Sequence, residues 1–203
     1  MHSSGRVKTV LITILLVVFL TGIPAEGDEL QGSFEGQLIA GVVNIGEEVE
    51  DETALLTMIR MQTEAGLGFR GALGSAGDEP FNLVEIHHEE NIAGERFFLS
   101  AGYQWFEASE IVFRGLKLGL RADQQLTNRI GIHTSLSLVP FMKAEIDNRS
   151  HDATGLEIEI APFFRMGETL QLQLGIRSMR YTAAGSNSGA DLTGILFGSR
   201  FIF

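Results

Sequence analysis

His133 and Ser135 stand two residues apart in RIGIHTSLSLVPFMKAEI, Arg129 to Ile146. On an extended strand, residues i and i+2 share a face. The imidazole and the hydroxyl therefore project together. Glu157 or Glu159, from the next alternating segment, could orient the imidazole as the third member of a nucleophile–base–carboxylate set for acyl transfer. A histidine among serines and glutamates is equally one member of a polar hydrogen-bonding network. The network reading is preferred, and no catalytic residue is assigned. A second cluster, His87-His88-Glu89-Glu90, offers metal-ligand types. Adjacent strand residues face opposite sides, however, so the two histidines cannot readily share an ion. A third, EEVEDE from Glu47 to Glu52, could gather a hard divalent cation through carboxylate oxygens. It lacks the spacing and the glycine of a calcium loop and reads as a solvated acidic loop. No metal or cofactor is expected.

The elements that must position these residues are strands. Beyond residue 30 no segment carries a helical period, and segment after segment alternates apolar with polar or small residues. The runs are Ser33 to Ile45, Leu55 to Leu73, Phe97 to Phe106, Val112 to Ala122, Arg129 to Ile146, Leu156 to Met166, Leu170 to Arg180 and Leu192 to Phe203. Leu55 to Leu73 alternates as one long strand. Phe81 to Glu90 alternates poorly. Turns or loops are expected at 74–80, 107–110, 123–128, 147–154, 167–168 and 182–190.

Export is written at the N-terminus. A short basic segment with Arg6 and Lys8 precedes the uncharged run Thr9 to Ile23, followed by small residues around Ala25. This is the layout of a secretory signal peptide over residues 1–25, with a mature domain over 26–203. That leader holds two basic and no acidic side chains, so the mature part holds 13 Lys+Arg against 26 Asp+Glu. A chain this acidic is a poor partner for nucleic acid. It has no cysteine, which excludes disulfides and thiolate metal sites.

The two rows of the alternation differ in kind. One is rich in Leu and Ile and almost uncharged, as lipid contact demands. The other is crowded with Gly, Ser and Gln and carries charges of both signs, which suits a cramped interior where they can pair. A membrane barrel turns the apolar row outward, whereas a soluble lipid-binding barrel turns it inward. The final segment, ILFGSRFIF, alternates and ends on Phe203.

With its leader, its hairpin series and that terminal strand, the chain resembles the small bacterial outer-membrane β-barrel proteins, the class of the OmpA- and OmpX-like barrels. The resemblance implies an all-β fold, a transmembrane up-and-down antiparallel barrel in the outer membrane. It also implies recognition by the barrel-insertion machinery through Phe201 and Phe203, and outer-membrane lipid as a partner. Such barrels have an even number of strands. Eight are expected, leaving 74–95 as a long connection; ten would need a further strand. The class includes lipid A-modifying enzymes, but no family-specific functional motif is matched.

The row assigned to the lumen contains Arg60, Gln62, Glu64, Arg70, Lys117, Arg121, His133, Lys143, Glu145, Glu157, Glu159, Arg165, Gln171, Gln173, Arg177 and Arg200. An eight-stranded interior is just wide enough for side chains to fill. The function expected is a non-enzymatic barrel of the envelope, in structure or in loop-mediated interaction. Two alternatives stay open, a small porin-like channel and a soluble periplasmic lipid-binding barrel. Pro140 and Pro162 lack the N–H that a closed ladder needs, so a bulge or break in pairing is expected where they sit. Folding the hairpin about Ser150 would set both at one level.

Overall fold

The computed structural model describes residues 32–46, 52–77, 79–92, 97–185 and 188–203. The leader and the acidic run at 47–51 lie outside the described residues. The strands are β1 (Gly32–Gly46), β2 (Glu52–Thr63), β3 (Leu67–Ala76), β4 (Glu79–Asn91), β5 (Phe97–Ala108), β6 (Ile111–Gln125), β7 (Ile130–Ile146), β8 (Arg149–Met166), β9 (Leu170–Ala183) and β10 (Gly189–Ile202). Each pairs antiparallel with its sequence neighbours, and β10 pairs with β1 to close the barrel. Backbone bonds between Gly32 and Phe203, at 2.7 and 3.0 Å, carry the closure to the last residue. A closed ladder leaves no edge, and every strand can satisfy its polar backbone without water.

Among the described residues ten strands replace the eight expected, because two segments depart from that expectation. Leu55 to Leu73 is a hairpin rather than one strand. Glu64, Ala65 and Gly66 turn the chain, with Gly66 N–H donating to Thr63 O at 3.0 Å and Gly66 at φ +83°. This is a three-residue loop ending on a left-handed glycine. Residues 74–95 are not a long connection either; β4 fills most of that range and pairs fully with β3 and β5. The expected loop at 147–154 shrinks to Asp147 and Asn148. Both have positive φ, at 50° and 61°, which fits a two-residue type I′ turn and its preference for Asp and Asn.

The apolar row points outward. Leu38, Leu99, Leu118, Leu136, Leu138, Ile160, Ile176, Ile195 and Phe197 are all exposed on the barrel wall. A water-soluble barrel would bury this row, so the expectation of a soluble lipid-binding barrel is not supported by the direction of its side chains.

The β7 strand breaks its own alternation. Val139 pairs with Gly155 and Met142 with Ala153, so Pro140 and Phe141 together stand against the single residue Thr154. The bulge at Pro140 appears where the missing N–H requires it. It exchanges the faces beyond it. Met142 and Ala144 turn into the lumen, and Lys143 turns out. Pro162 behaves differently. It holds its place opposite Ile132 on β7, while Ala161 and Pro162 drop out of the ladder to β9. The two prolines are therefore not at one level.

Candidate functional site: a two-layered lumen

The inward side chains fall into two layers. Both ends of the described barrel, Gly32 and Phe203, lie at one end of the barrel with the turns 64–66, 126–129 and 167–169; this is the terminal end. The far end carries the turns 109–110 and 147–148.

The far-end layer is apolar. Ile39, Leu56, Met58, Leu83, Met179 and Leu192 are fully buried there. Four rings pack at its centre. Phe106 on β5 lies 4.7 Å from Phe81 on β4 and 4.6 Å from Tyr181 on β9, with Phe113 on β6 5.6 Å from Tyr181. A ring from β9 that meets rings from β5 and β6 spans the lumen. Gly155 makes room for it: a Cβ there would come 2.6 Å from the Tyr181 ring. Ten strands enclose a wider bore than eight, and aromatic and methionine side chains fill it.

The terminal-end layer is charged. Glu157 on β8 is its centre. Its carboxylate receives Arg70 Nη1 at 2.8 Å, Lys117 Nζ at 2.7 Å and Arg177 Nη2 at 3.1 Å. Lys117 also reaches Glu85 at 2.9 Å, and Arg70 pairs with Glu85 as well. Arg177 bonds Glu159 at 2.7 Å. Nearer the mouth, Glu89 takes Arg60 at 2.9 Å and Arg121 at 2.5 Å. Arg121 also stacks over Phe98, 3.9 Å from the ring centroid. Charges withdrawn from water cost several kcal/mol each unless paired with good geometry. Here opposite signs alternate across the bore, so the ion pairs cross-brace strands from opposite walls.

Of the residues assigned to the lumen from sequence, Arg70, Lys117, Arg121, His133, Glu157, Glu159, Gln171, Gln173 and Arg177 are buried inside it, and Arg60, Gln62, Arg165 and Arg200 line its terminal mouth. Three do not belong. Glu64 is an exposed turn residue. Lys143 and Glu145 lie beyond the bulge and face outward, where they pair with Asp152 and Arg114. Four carboxylates were missed: Glu35, Glu85, Glu89 and Asp123. Two lie in Phe81 to Glu89 on β4 and one on β1, where Glu35 and Gln37 alternate with Phe34 and Leu38. The i, i+2, i+4 spacing of Glu85, His87 and Glu89 was the available signal.

His133 Nδ1 lies 2.6 Å from Asp123 Oδ1 and Nε2 lies 3.6 Å from Glu159 Oε1. Both ring nitrogens thus face carboxylates, and neither bonds Ser135. The carboxylate at hydrogen-bond distance is Asp123, rather than the Glu157 or Glu159 expected from the sequence; Glu159 stands 3.6 Å from the other nitrogen. His87 and Glu89 point inward, His88 and Glu90 outward. Among the described residues no group of three or more His, Asp and Glu is placed to hold a metal ion. A cavity of about 40 Å³ remains between the charged cluster and Ser100, Ser135 and Ser137. It has room for a few waters.

No family model matches the chain, and no curated protein matches it. Solved structures do. The outer membrane protease OmpT from Escherichia coli superposes with a TM-score of 0.52 at 7% identity, over 88% of this chain and 99% of that one. This likeness is one of fold. The chain has the fold of the outer-membrane β-barrels. Neisserial surface protein A is matched at a TM-score of 0.40 and 12% identity, over 85% of this chain and 99% of that one. The KdgM porin is matched at 0.40 and 8%, over 86% and 99%.

Proposed function

We propose that this protein is an integral outer-membrane barrel whose lumen is closed by its own side chains. Its role is non-enzymatic, in envelope structure or in presenting its far-end turns to partners. The observation that carries this reading is the aromatic layer of Phe81, Phe106, Phe113 and Tyr181, which meets from opposite walls above a charged cluster. An ion entering at the terminal mouth would leave paired charges for an apolar layer, at a cost in desolvation. On this reading the terminal end faces the periplasm. Phe201 on β10 and Phe203 just past its end, both exposed, carry the insertion signal, and outer-membrane lipid covers the Leu and Ile belt.

The non-enzymatic part is supported by the His133 geometry. A base needs a free nitrogen toward its nucleophile, and both nitrogens of His133 face carboxylates. The test is permeability. Barrels reconstituted in lipid vesicles should leave entry of a small sugar at the lipid-only rate. Swelling above that rate, rising with protein content, supports the porin-like alternative instead.

A further inference from the structure

In the charged layer, Arg60, Arg70, Lys117, Arg121 and Arg177 each have a carboxylate oxygen within 2.9 Å. Two lumen cations do not. Arg165 on β8 has no carboxylate within ion-pair distance among the described residues. Arg200 on β10 has only a long contact, 3.5 Å to Asp123, and an equally long one to the Ser33 hydroxyl. The two are neighbours in space. Arg165 stands opposite Gln171 on β9, and Gln171 stands opposite Arg200. Two strand spacings set their Cα atoms roughly 10 Å apart, within reach of two guanidinium arms turned to one point.

The residue between them is an amide, not a carboxylate. Gln171 is buried and makes no hydrogen bond in the described structure. The Nε atoms of Arg165 and Arg200 and the Oε1 of Gln173, one step deeper on β9, are buried without partners. Glu35 faces Arg200 from β1, but it lies beyond ion-pair distance, and its carboxylate accepts from Gln37 at 2.7 Å. Unpaired buried donors are costly. Elsewhere in this lumen cations meet carboxylates. Here, at the mouth, two guanidinium groups flank a buried amide, and the nearest carboxylates are Asp123, 3.5 Å from Arg200, and Glu35 opposite it on β1.

We propose that Arg165 and Arg200, on either side of Gln171, form an oxyanion-binding site at the terminal mouth of the lumen. The ligand is a phosphate or carboxylate group. Guanidinium donates in a planar fork that matches such groups, and a charge-assisted bond there is about twice as strong as a neutral one. The Gln171 amide adds a third donor. The proposal is independent of whether the lumen conducts.

The test uses the purified full-length barrel in uncharged detergent and follows urea unfolding through its single tryptophan, Trp105. Inorganic phosphate replaces chloride at constant ionic strength. A saturable rise in the unfolding midpoint is expected. Arg165→Gln should fold and weaken phosphate binding at least tenfold, Arg165→Lys should restore part of it, and Arg149→Gln, at the far end, should leave it unchanged. A parallel arm compares nanodiscs of phosphatidylcholine with and without phosphatidylglycerol. A gain lost in Arg165→Gln in that arm alone assigns the oxyanion to a lipid headgroup; a gain with free phosphate assigns it to a soluble ion. No saturable gain in either arm, or a gain that Arg165→Gln leaves intact, overturns the proposal.

Discussion

The Tyr181 hydroxyl donates a hydrogen bond of 2.6 Å to Glu157 Oε1. This contact joins the two layers of the lumen. The Tyr181 ring belongs to the aromatic stack, while its oxygen reaches the carboxylate that also holds Arg70, Lys117 and Arg177. Tyrosine suits the boundary because its body is apolar and its tip is polar.

Glu157→Gln removes the charge on which three cations converge. Leaving buried charges short of a partner costs about 3–5 kcal/mol. Tyr181→Phe keeps the ring and loses one charge-assisted bond, for about 1.5–3 kcal/mol. Urea unfolding in detergent should rank them in that order, and the double variant should lose less than the sum because the two share a bond. Strict additivity would mean that the contact does not couple the layers.

The bulge at Pro140 predicts a reversal of tolerance between adjacent residues. Met142 is 3% exposed and points into the apolar layer, so Met142→Lys should abolish or strongly destabilise folding, by about 3 kcal/mol or more. Lys143, outward and exposed, should accept methionine with a change within about 0.5 kcal/mol. An unbroken strand would give the opposite pattern, and the two unfolding midpoints distinguish them.

Leu136 and Leu138 lie outward on β7 in the apolar belt. Each change to Asp puts a carboxylate in hydrocarbon, at about 2 kcal/mol apiece. Insertion of the double variant into preformed lipid vesicles should fall sharply, while Ser137→Asp, an inward change between them, affects the lumen and not the belt. Normal insertion of Leu136→Asp/Leu138→Asp would remove lipid from that face.

Two glycines should behave differently. A Cβ on Gly68 would come 2.2 Å from His87 Nε2, whereas one on Gly36 would meet nothing within 4 Å. Gly68→Ala should therefore cost about 1–3 kcal/mol by displacing the buried imidazole, and Gly36→Ala should be neutral or slightly stabilising. Equal midpoints for the two variants would show that the His87 ring yields without cost.

The outward belt and most of the charged lumen were legible in the sequence, because a period of two assigns faces wherever a strand is regular. It went astray where regularity ended. The loop Glu64–Gly66 has three residues, so Thr63 and Leu67 keep the same parity and, as partners across the hairpin, the same face. Alternation ran through the turn without a break and hid one strand. In β4, His88 and Glu90 face outward while Phe81 and Leu83 face inward. Neither row is uniform, because one lumen face passes from an apolar to a charged layer within a single strand. On β7 the proline announced a bulge, but one extra residue also exchanges every face beyond it, which moved Lys143 and Glu145 out of the lumen. Pairing across the bore, such as Arg70 with Glu157, depends on which strands stand opposite one another, and that follows from the strand number.

The proposed closure of the bore by the aromatic layer is tested by single-channel recording across a planar bilayer, on the native barrel and on a Phe81→Ala/Phe106→Ala/Phe113→Ala variant that still inserts. The native barrel should give no conductance steps, and the variant should give small discrete ones. Stable conductance steps from the native barrel, unchanged in the variant, would contradict the claim.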